Sequence, residues 1–356
     1  MTSNSRASAE IRQLDSRGRD PRHSYCARFD IENRRYIGSK VRLIGHIFEV
    51  IPESLRKGHF LDIFGGTGVV AAKATQIFST VTINDHLHSN EVIYRAFFGG
   101  SRFSQKKLDK FVEDIRRLKL PTSNYFSREF GNRYFSTHDA VKIGAIRDRI
   151  EICRQDLSRR EYYILLASLL YSTDRSANTV GHYEAFLKTG STRDSFDFRL
   201  IRALPPTRVT IFREDANQLA RRLTADVAYI DPPYNSRQYS RFYHVLETLV
   251  KWEKPRLSGV ARKPPTENSS DYCKTSAPKS FADLISSLDA KLIVVSYNNT
   301  YESKSSSSRN KISHDFIHQT LGSRGKVNVA SVGVAHFNAG KSSLPNHMEH
   351  LFICKT

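Results

Sequence analysis

The sequence predicts an α/β fold built on a parallel sheet that is interrupted by a helical insertion. Three observations predict it. The short apolar run His59 to Phe64 breaks at Gly65-Gly66-Thr67-Gly68 and resumes as a small-residue helix, Val69 to Phe78, which is the strand, glycine turn, helix unit that opens a βαβ layout. Residues 100–205 then hold no convincing strand, whereas 105–119, 138–153 and 158–171 carry helical periodicity with many Lys and Arg. Strand-like runs return at Arg208 to Phe212, Asp226 to Ile230 and Lys291 to Tyr297, so the sheet resumes after the insertion.

Taken in order, residues 1–30 are polar and rich in Ser and Arg, without steady periodicity, and read as a disordered basic arm. Ordered structure is expected from Asn33-Arg34-Arg35-Tyr36-Ile37-Gly38-Ser39-Lys40, a loop that feeds an amphipathic helix over Val41 to Phe48. A second strand, Thr80 to Ile83, ends on Asn84-Asp85, and a helical pattern follows from Ser89 to Phe98. The sheet region is thus expected at 31–100 and 206–356, with 101–205 inserted. Two Ser, Lys and Pro-rich stretches, 255–280 and 302–312 with Ser305 to Ser308, read as mobile loops. The tail from His347 to Cys354 ends like a final strand.

Length and charge bound the function classes. A chain of 356 residues can bury a large core without disulfides, and its four cysteines, Cys26, Cys153, Cys273 and Cys354, show no metal-ligand or secreted-scaffold spacing. A reducing cytoplasm is the expectation. No apolar stretch is long enough for a signal peptide core or a membrane span. A formal net charge of +19 favours a polyanionic partner, since each phosphate contact releases counterions; a basic surface that aids solubility is the alternative.

The chemistry sits in three segments. A glycine turn after a first strand lets the backbone approach a ligand, and the following helix offers free N–H groups there. The run Asp62-Ile63-Phe64-Gly65-Gly66-Thr67-Gly68 lacks the GxGxxG spacing of a nicotinamide site. Asp85, at the end of the second strand, is placed to hydrogen-bond a ribose diol or to cap the next turn. The sharpest segment is Asp231-Pro232-Pro233-Tyr234, directly after a strand, where its side chains emerge at the carboxyl edge of the sheet. Two prolines cannot continue a central strand, so the chain must leave the sheet in a fixed shape. Such a turn suits an exocyclic base amine, a poor nucleophile. Asp231 and the Pro232 carbonyl can accept its hydrogens and stabilise the positive charge that develops on nitrogen, while Tyr234 offers a face to the base. A rigid turn without chemistry is the alternative.

These segments, in this order, resemble the alpha group of DNA N6-adenine methyltransferases. The opening Tyr-x-Gly-Ser-Lys segment of that family is Tyr36 to Lys40; its Phe-x-Gly-x-Gly cofactor motif matches Phe64, Gly66 and Gly68; its acidic second-strand position matches Asp85; its catalytic motif matches 231–234. The continuation Asn235-Ser236-Arg237-Gln238-Tyr239, with Tyr243-His244-Val245-Leu246-Glu247, particularly resembles the methyltransferase domains of the FokI type of restriction–modification system.

The resemblance implies a Rossmann-like S-adenosylmethionine-dependent methyltransferase sheet with an inserted helical DNA-recognition subdomain. It implies methyl transfer to N6 of an adenine rotated out of duplex DNA, with S-adenosylmethionine as cofactor and no metal. Duplex DNA is the implied partner, in a restriction–modification setting that leaves room for a cognate restriction endonuclease. By the same analogy Tyr36 and Lys40 border the methionine end of the cofactor, Asp62 belongs to its glycine-turn motif, and Asp215 faces its adenine or else caps the helix at Ala216. Arg237, Gln238 and Tyr239 hold the extruded nucleotide or pack the next helix. Within Ser176 to Tyr183, the residues Asn178, Gly181 and Tyr183 resemble a DNA-contacting loop, with an ordinary loop as the alternative. Three competing functions remain open: N4-cytosine methylation, which generally has Ser in place of the leading Asp, RNA-base methylation, and a DNA-binding protein of the same fold without activity.

Overall fold

The computed structural model describes residues 28–187, 193–299, 309–333 and 348–356. Nearly all of the expected basic arm, Cys26, Ser305 to Ser308 and His347 lie outside the described residues.

Seven strands form one sheet: β1 (His59–Asp62), β2 (Thr80–Asn84), β3 (Val209–Phe212), β4 (Thr224–Ile230), β5 (Asp289–Asn298), β6 (Lys326–Gly333) and β7 (Met348–Lys355). Their spatial order is β3-β2-β1-β4-β5-β7-β6, with β7 antiparallel to both neighbours and the first five strands parallel. The strand order therefore reverses between β1 and β4. At such a switch point the connections diverge to opposite faces and open a crevice above the carboxyl ends of the strands.

The period of two along each strand divides the core between two faces. Phe60, Val227, Tyr229, Leu292 and Val294 belong to one apolar cluster, and their neighbours Leu61, Ala228, Ile230, Ile293 and Val295 to the other. The first face is covered by α1 (Ile44–Glu49), α2 (Val69–Ala74) and α3 (His88–Phe98). The long helices between β2 and β3 share that cluster: α4 (Gln105–Arg116), α5 (Tyr125–Phe130), α6 (Thr137–Ile152) and α7 (Arg159–Ser176). The second face is covered by α8 (Ala216–Ala220), α11 (Ala277–Ser287) and α12 (His314–Gly322). Two helices, α9 (Tyr239–Phe242) and α10 (His244–Lys251), follow the turn after β4 and pack on the first face.

Helix starts follow their side chains. Ser136 accepts from Asp139 N ahead of α6, and Ser158 with Glu161 forms a capping box ahead of α7. Four elements were not expected from the sequence: α5, α11, α12 and β6. β6 is an edge strand whose residues are exposed or half-buried, so it carries no apolar run to announce it. The stretch 255–280, expected as a mobile loop, is pinned: apart from a 3-10 turn at Asp271–Cys273 it is irregular up to Ser276, and its last four residues open α11. Tyr125 OH donates to Pro255 O at 2.8 Å, Tyr134 OH to Ala261 O at 2.9 Å and Arg241 to Pro264 O at 3.1 Å. α11 begins at Ala277, with Pro278 in its first turn, where the missing N–H costs nothing. No helix among the described residues is long and apolar enough to cross a membrane.

Candidate active site

The ends of β1 and β2 are tied together before any ligand is considered. Asn84, 2 % exposed, donates to Ile63 O and Glu214 O, both at 3.1 Å, and accepts from Glu214 N at 3.0 Å. One buried amide at the end of β2 thus satisfies three backbone groups just past the ends of β1 and β3. Gly65 N donates to Asn84 O at 2.8 Å, and Gly68 N to Gly65 O at 2.7 Å, closing the glycine turn. Each glycine has its own reason. A Cβ on Gly65 would fall 2.5 Å from Ile83 Cγ1, and Gly66 and Gly68 sit at φ of +51° and +82°, the left-handed region that other residues rarely enter.

Asp85 holds this turn from the side: its carboxylate accepts from Gly66 N at 3.0 Å and Leu87 N at 2.9 Å. It has a place in the cleft but does not cap α3, whose first N–H groups, those of His88 and Ser89, go to Glu247. Asp62 is different. It is 1 % exposed, and neither carboxylate oxygen has a hydrogen-bond partner. Burial, then the nearby charges of Asp231 and Asp85, push its carboxyl well above the usual range.

An open cleft lies over the switch point, about 1010 Å³ with the solvent space at its mouth included. Tyr36, Lys40, Asp62, Phe64, Gly66, Asp85, Asp215, Asp231, Pro232, Pro233, Tyr234, Gln238 and Tyr239 all border it. Thus the segments singled out from sequence, far apart in the chain, share one crevice; Gly68 stands beside it as the residue that starts α2. Asp215 caps α8, its Oδ1 accepting from Asn217 N and Gln218 N, both at 3.0 Å. Tyr36 stacks on Tyr243 at 4.6 Å, and Tyr239 lies 5.5 Å from Tyr36.

At the Asp231 to Tyr234 turn the electrostatics are dense. Lys40 Nζ, on a side chain 5 % exposed, lies 2.7 Å from Asp231 Oδ2, 2.7 Å from Tyr234 OH and 3.6 Å from Glu349 Oε1. Tyr234 OH donates to Asp231 Oδ1 and is also 2.8 Å from Glu349 Oε1. Ser296 Oγ donates to the same Glu349 oxygen at 2.7 Å. Burial raises the Asp231 carboxyl to about 6; Lys40 pulls it down and Glu349 pushes it up. Tyr297 packs edge-on to Tyr234 at 4.8 Å, and its hydroxyl reaches Tyr234 O at 3.3 Å, fixing the turn from below.

The residues expected near DNA are distributed differently. Gln238 exchanges two bonds with Ser270, at 2.9 and 2.8 Å. The Arg237 guanidinium lies over the Phe242 ring at 5.7 Å. Asn178 donates to Leu187 O at 2.9 Å, and Gly181 takes a φ of +101°. Tyr183 is fully buried, with its hydroxyl on Asp174 at 3.0 Å, so in this conformation it packs the loop and offers no surface to a ligand.

Sequence reasoning missed Glu349, Ser296, Tyr297 and Gly65. Glu349 carried a signal: it is an acid on the same face as Leu351 of a strand that is otherwise mostly apolar.

A family model for D12 class N6 adenine-specific DNA methyltransferase matches residues 36–306. The chain is 34% identical over 288 residues to Modification methylase StsI of Streptococcus sanguinis, covering 74% of this chain and 44% of that protein. It is 31% identical over 292 residues to Type II methyltransferase M.FokI of Planomicrobium okeanokoites, with 74% and 44% covered. Against these two, the chain spans under half the length of the relative. To Type II methyltransferase M.CviAII of Paramecium bursaria Chlorella virus 1 it is 33% identical over 334 residues, covering 89% of this chain and 97% of that protein. The match spans the 36–40 segment, the glycine turn and the 231–234 turn that meet in the cleft, and the chain belongs to the D12 class N6 adenine-specific DNA methyltransferase family.

Proposed function

We propose that the protein transfers a methyl group from S-adenosylmethionine to N6 of an adenine rotated out of duplex DNA, as the modification enzyme of a restriction–modification system. One observation carries this reading: Asp231 to Tyr234 leaves the carboxyl end of β4 beside the β1 glycine turn, in a single cleft. The cofactor fits the residues present. A buried carboxyl without a partner, Asp62, suits an ammonium group, the left-handed glycines leave room for close approach, and Asp85 suits a ribose diol. Tyr36, Lys40, Asp62, Phe64, Gly66, Gly68, Asp85 and Asp215 would hold it. When bound, S-adenosylmethionine supplies a methyl group activated by a sulfonium.

The chain's own residues do the rest by placement and electrostatics. Asp231, ionised, accepts a hydrogen of the target amine together with the Pro232 carbonyl and stabilises the charge growing on nitrogen. Tyr234 and Tyr239 offer rings to the extruded base. Asn178, Gly181, Arg237 and Gln238 lie on loops that face the nucleic acid, and a net charge of +19 supports phosphate contact. The setting is the cytoplasm, and a cognate restriction endonuclease is the expected counterpart.

The test is incubation with methyl-labelled S-adenosylmethionine and unmethylated duplex DNA, followed by identification of the modified base. Label on N6 of adenine at a defined sequence is expected. Label on cytosine refutes the base assignment, and tight DNA binding without any label refutes the activity.

A further inference from the structure

Asp231 faces a conflict that the geometry exposes. To accept the target amine its carboxylate must be available, yet Lys40 Nζ stands 2.7 Å from Oδ2 and Tyr234 OH binds Oδ1. Lys40 is 5 % exposed, so an ammonium deprived of its carboxylate would be left buried without a counter-charge, a state proteins avoid. A second carboxylate is already in place. Glu349, 4 % exposed, lies 3.6 Å from Lys40 Nζ and 2.8 Å from Tyr234 OH, and Ser296 Oγ anchors the oxygen that both approach.

We infer that Glu349 is a positioning residue for the transfer step: it takes over Lys40 and the Tyr234 hydroxyl when the target amine claims Asp231. This rests on the methyl-transfer reading above. The two carboxylates act as alternate acceptors for one buried cation, one of them fixed by Ser296 and the other released for substrate. No covalent change is involved. Lys40 Nζ shifts from its 2.7 Å contact with Asp231 toward the Glu349 oxygen 3.6 Å away, and the Tyr234 hydroxyl keeps its proton and donates it to the Glu349 oxygen it already reaches.

The experiment compares wild type with Glu349→Gln, Glu349→Asp, Lys40→Met and the Glu349→Gln/Lys40→Met double variant. It measures kcat and KM for duplex DNA at saturating cofactor, and cofactor affinity by calorimetry. In Glu349→Gln, kcat falls about 10- to 100-fold, the equivalent of one charged hydrogen bond lost at the transition state, while cofactor affinity stays within about threefold. Glu349→Asp recovers part of the loss. In the Lys40→Met background the Glu349→Gln substitution costs much less, because no cation remains to be transferred.

The pH profile gives an independent readout. Asp231 is faced by Lys40, Tyr234 and Glu349, with Asp62, Tyr229 and Tyr239 near enough to feel its charge, and Glu349 is in turn felt by His314 and His350. Since Glu349 pushes the Asp231 carboxyl up, Glu349→Gln moves the acid limb of the kcat profile to lower pH. A purely structural role leaves that limb where it was. Should Glu349→Gln fail to bind cofactor, Ser296→Ala loosens Glu349 with every charge kept, and kcat falls about tenfold, the lower end for one hydrogen bond to a charged group. An active wild type whose kcat is unchanged in either variant, or a Glu349→Gln loss equally large with and without Lys40, overturns the inference. A wild type that labels no adenine overturns the function beneath it instead.

Discussion

Replacing Asp231 with Asn should make the cofactor-free protein more stable at neutral pH while stopping methyl transfer. The carboxyl is raised from its ordinary value near 3.8 to about 6, chiefly by burial and by Glu349, against the pull of Lys40. Its side chain is 16 % exposed, so solvent screens it little. The native state therefore holds this proton more tightly than the unfolded chain does. The stabilising contribution is present in full below the unfolded value and is lost as pH rises through about 6. With ~1.36 kcal/mol per unit, ionising Asp231 in place costs on the order of 3 kcal/mol at pH 7.5. Asn keeps the shape and does not titrate. The assay is urea unfolding of both proteins at steps from about pH 4 to 7.5, with kcat from labelled methyl transfer measured alongside. The stability difference, Asn variant minus wild type, should grow with pH by up to that amount, and kcat at pH 7.5 should fall by about 10²- to 10³-fold, as when one preorganised electrostatic partner is removed. A difference independent of pH, or one that shrinks as pH rises because the Lys40 pair dominates, refutes the reasoning. So does turnover within tenfold of wild type.

Gly68→Ala places a Cβ at a φ of +82°, 3.1 Å from Tyr94 Cε1 and 3.2 Å from Ile31 Cδ1; denaturation should show a loss of about 2 kcal/mol, and calorimetry a cofactor affinity weakened at least about tenfold. Asp215→Ala removes the cap of α8 and should cost about 1 kcal/mol in thermal or urea unfolding, whereas Asp215→Asn keeps it. If the Asn variant also binds cofactor like wild type, Asp215 is a cap alone. Raising salt from about 50 to 200 mM should weaken binding to any duplex by at least about 10²-fold in a fluorescence titration, with cofactor affinity nearly unchanged.

The parts of the site legible in the sequence were those whose chemistry is local. The glycine turn follows its strand directly, Asp231 to Tyr234 ends another, and Asp85 ends a third, so each could be read within a few residues. Ser296 and Asn84 were hidden, and Glu349 was marked only as an acid in a mostly apolar strand, because their roles exist only through pairing across the sheet: Glu349 stands opposite Asn298 in the β5–β7 ladder, and Asn84 acts on backbone groups of Ile63 and Glu214. Gly65 reads as one glycine among the three of its turn until Ile83 is seen against it. Tyr183 misled in the other direction, as its position in a polar loop gives no hint that its hydroxyl reaches Asp174 in the core. The 255–276 stretch has a linker's composition, but its carbonyls are taken by Tyr125, Tyr134, His244 and Arg241, which no local pattern foretells.

The contact between Lys40 and Glu349 joins a segment that precedes the first strand to the last strand of the sheet. Contacts of such long sequence separation form late, because the entropy of closing the intervening chain must be met before they are rewarded. The long helices of residues 105–176, stabilised by local bonds, have no such delay. During refolding from denaturant, helical circular dichroism should thus recover ahead of catalytic competence, and the interval between them measures how long the protein exists as a folded-looking scaffold with its centre still unassembled.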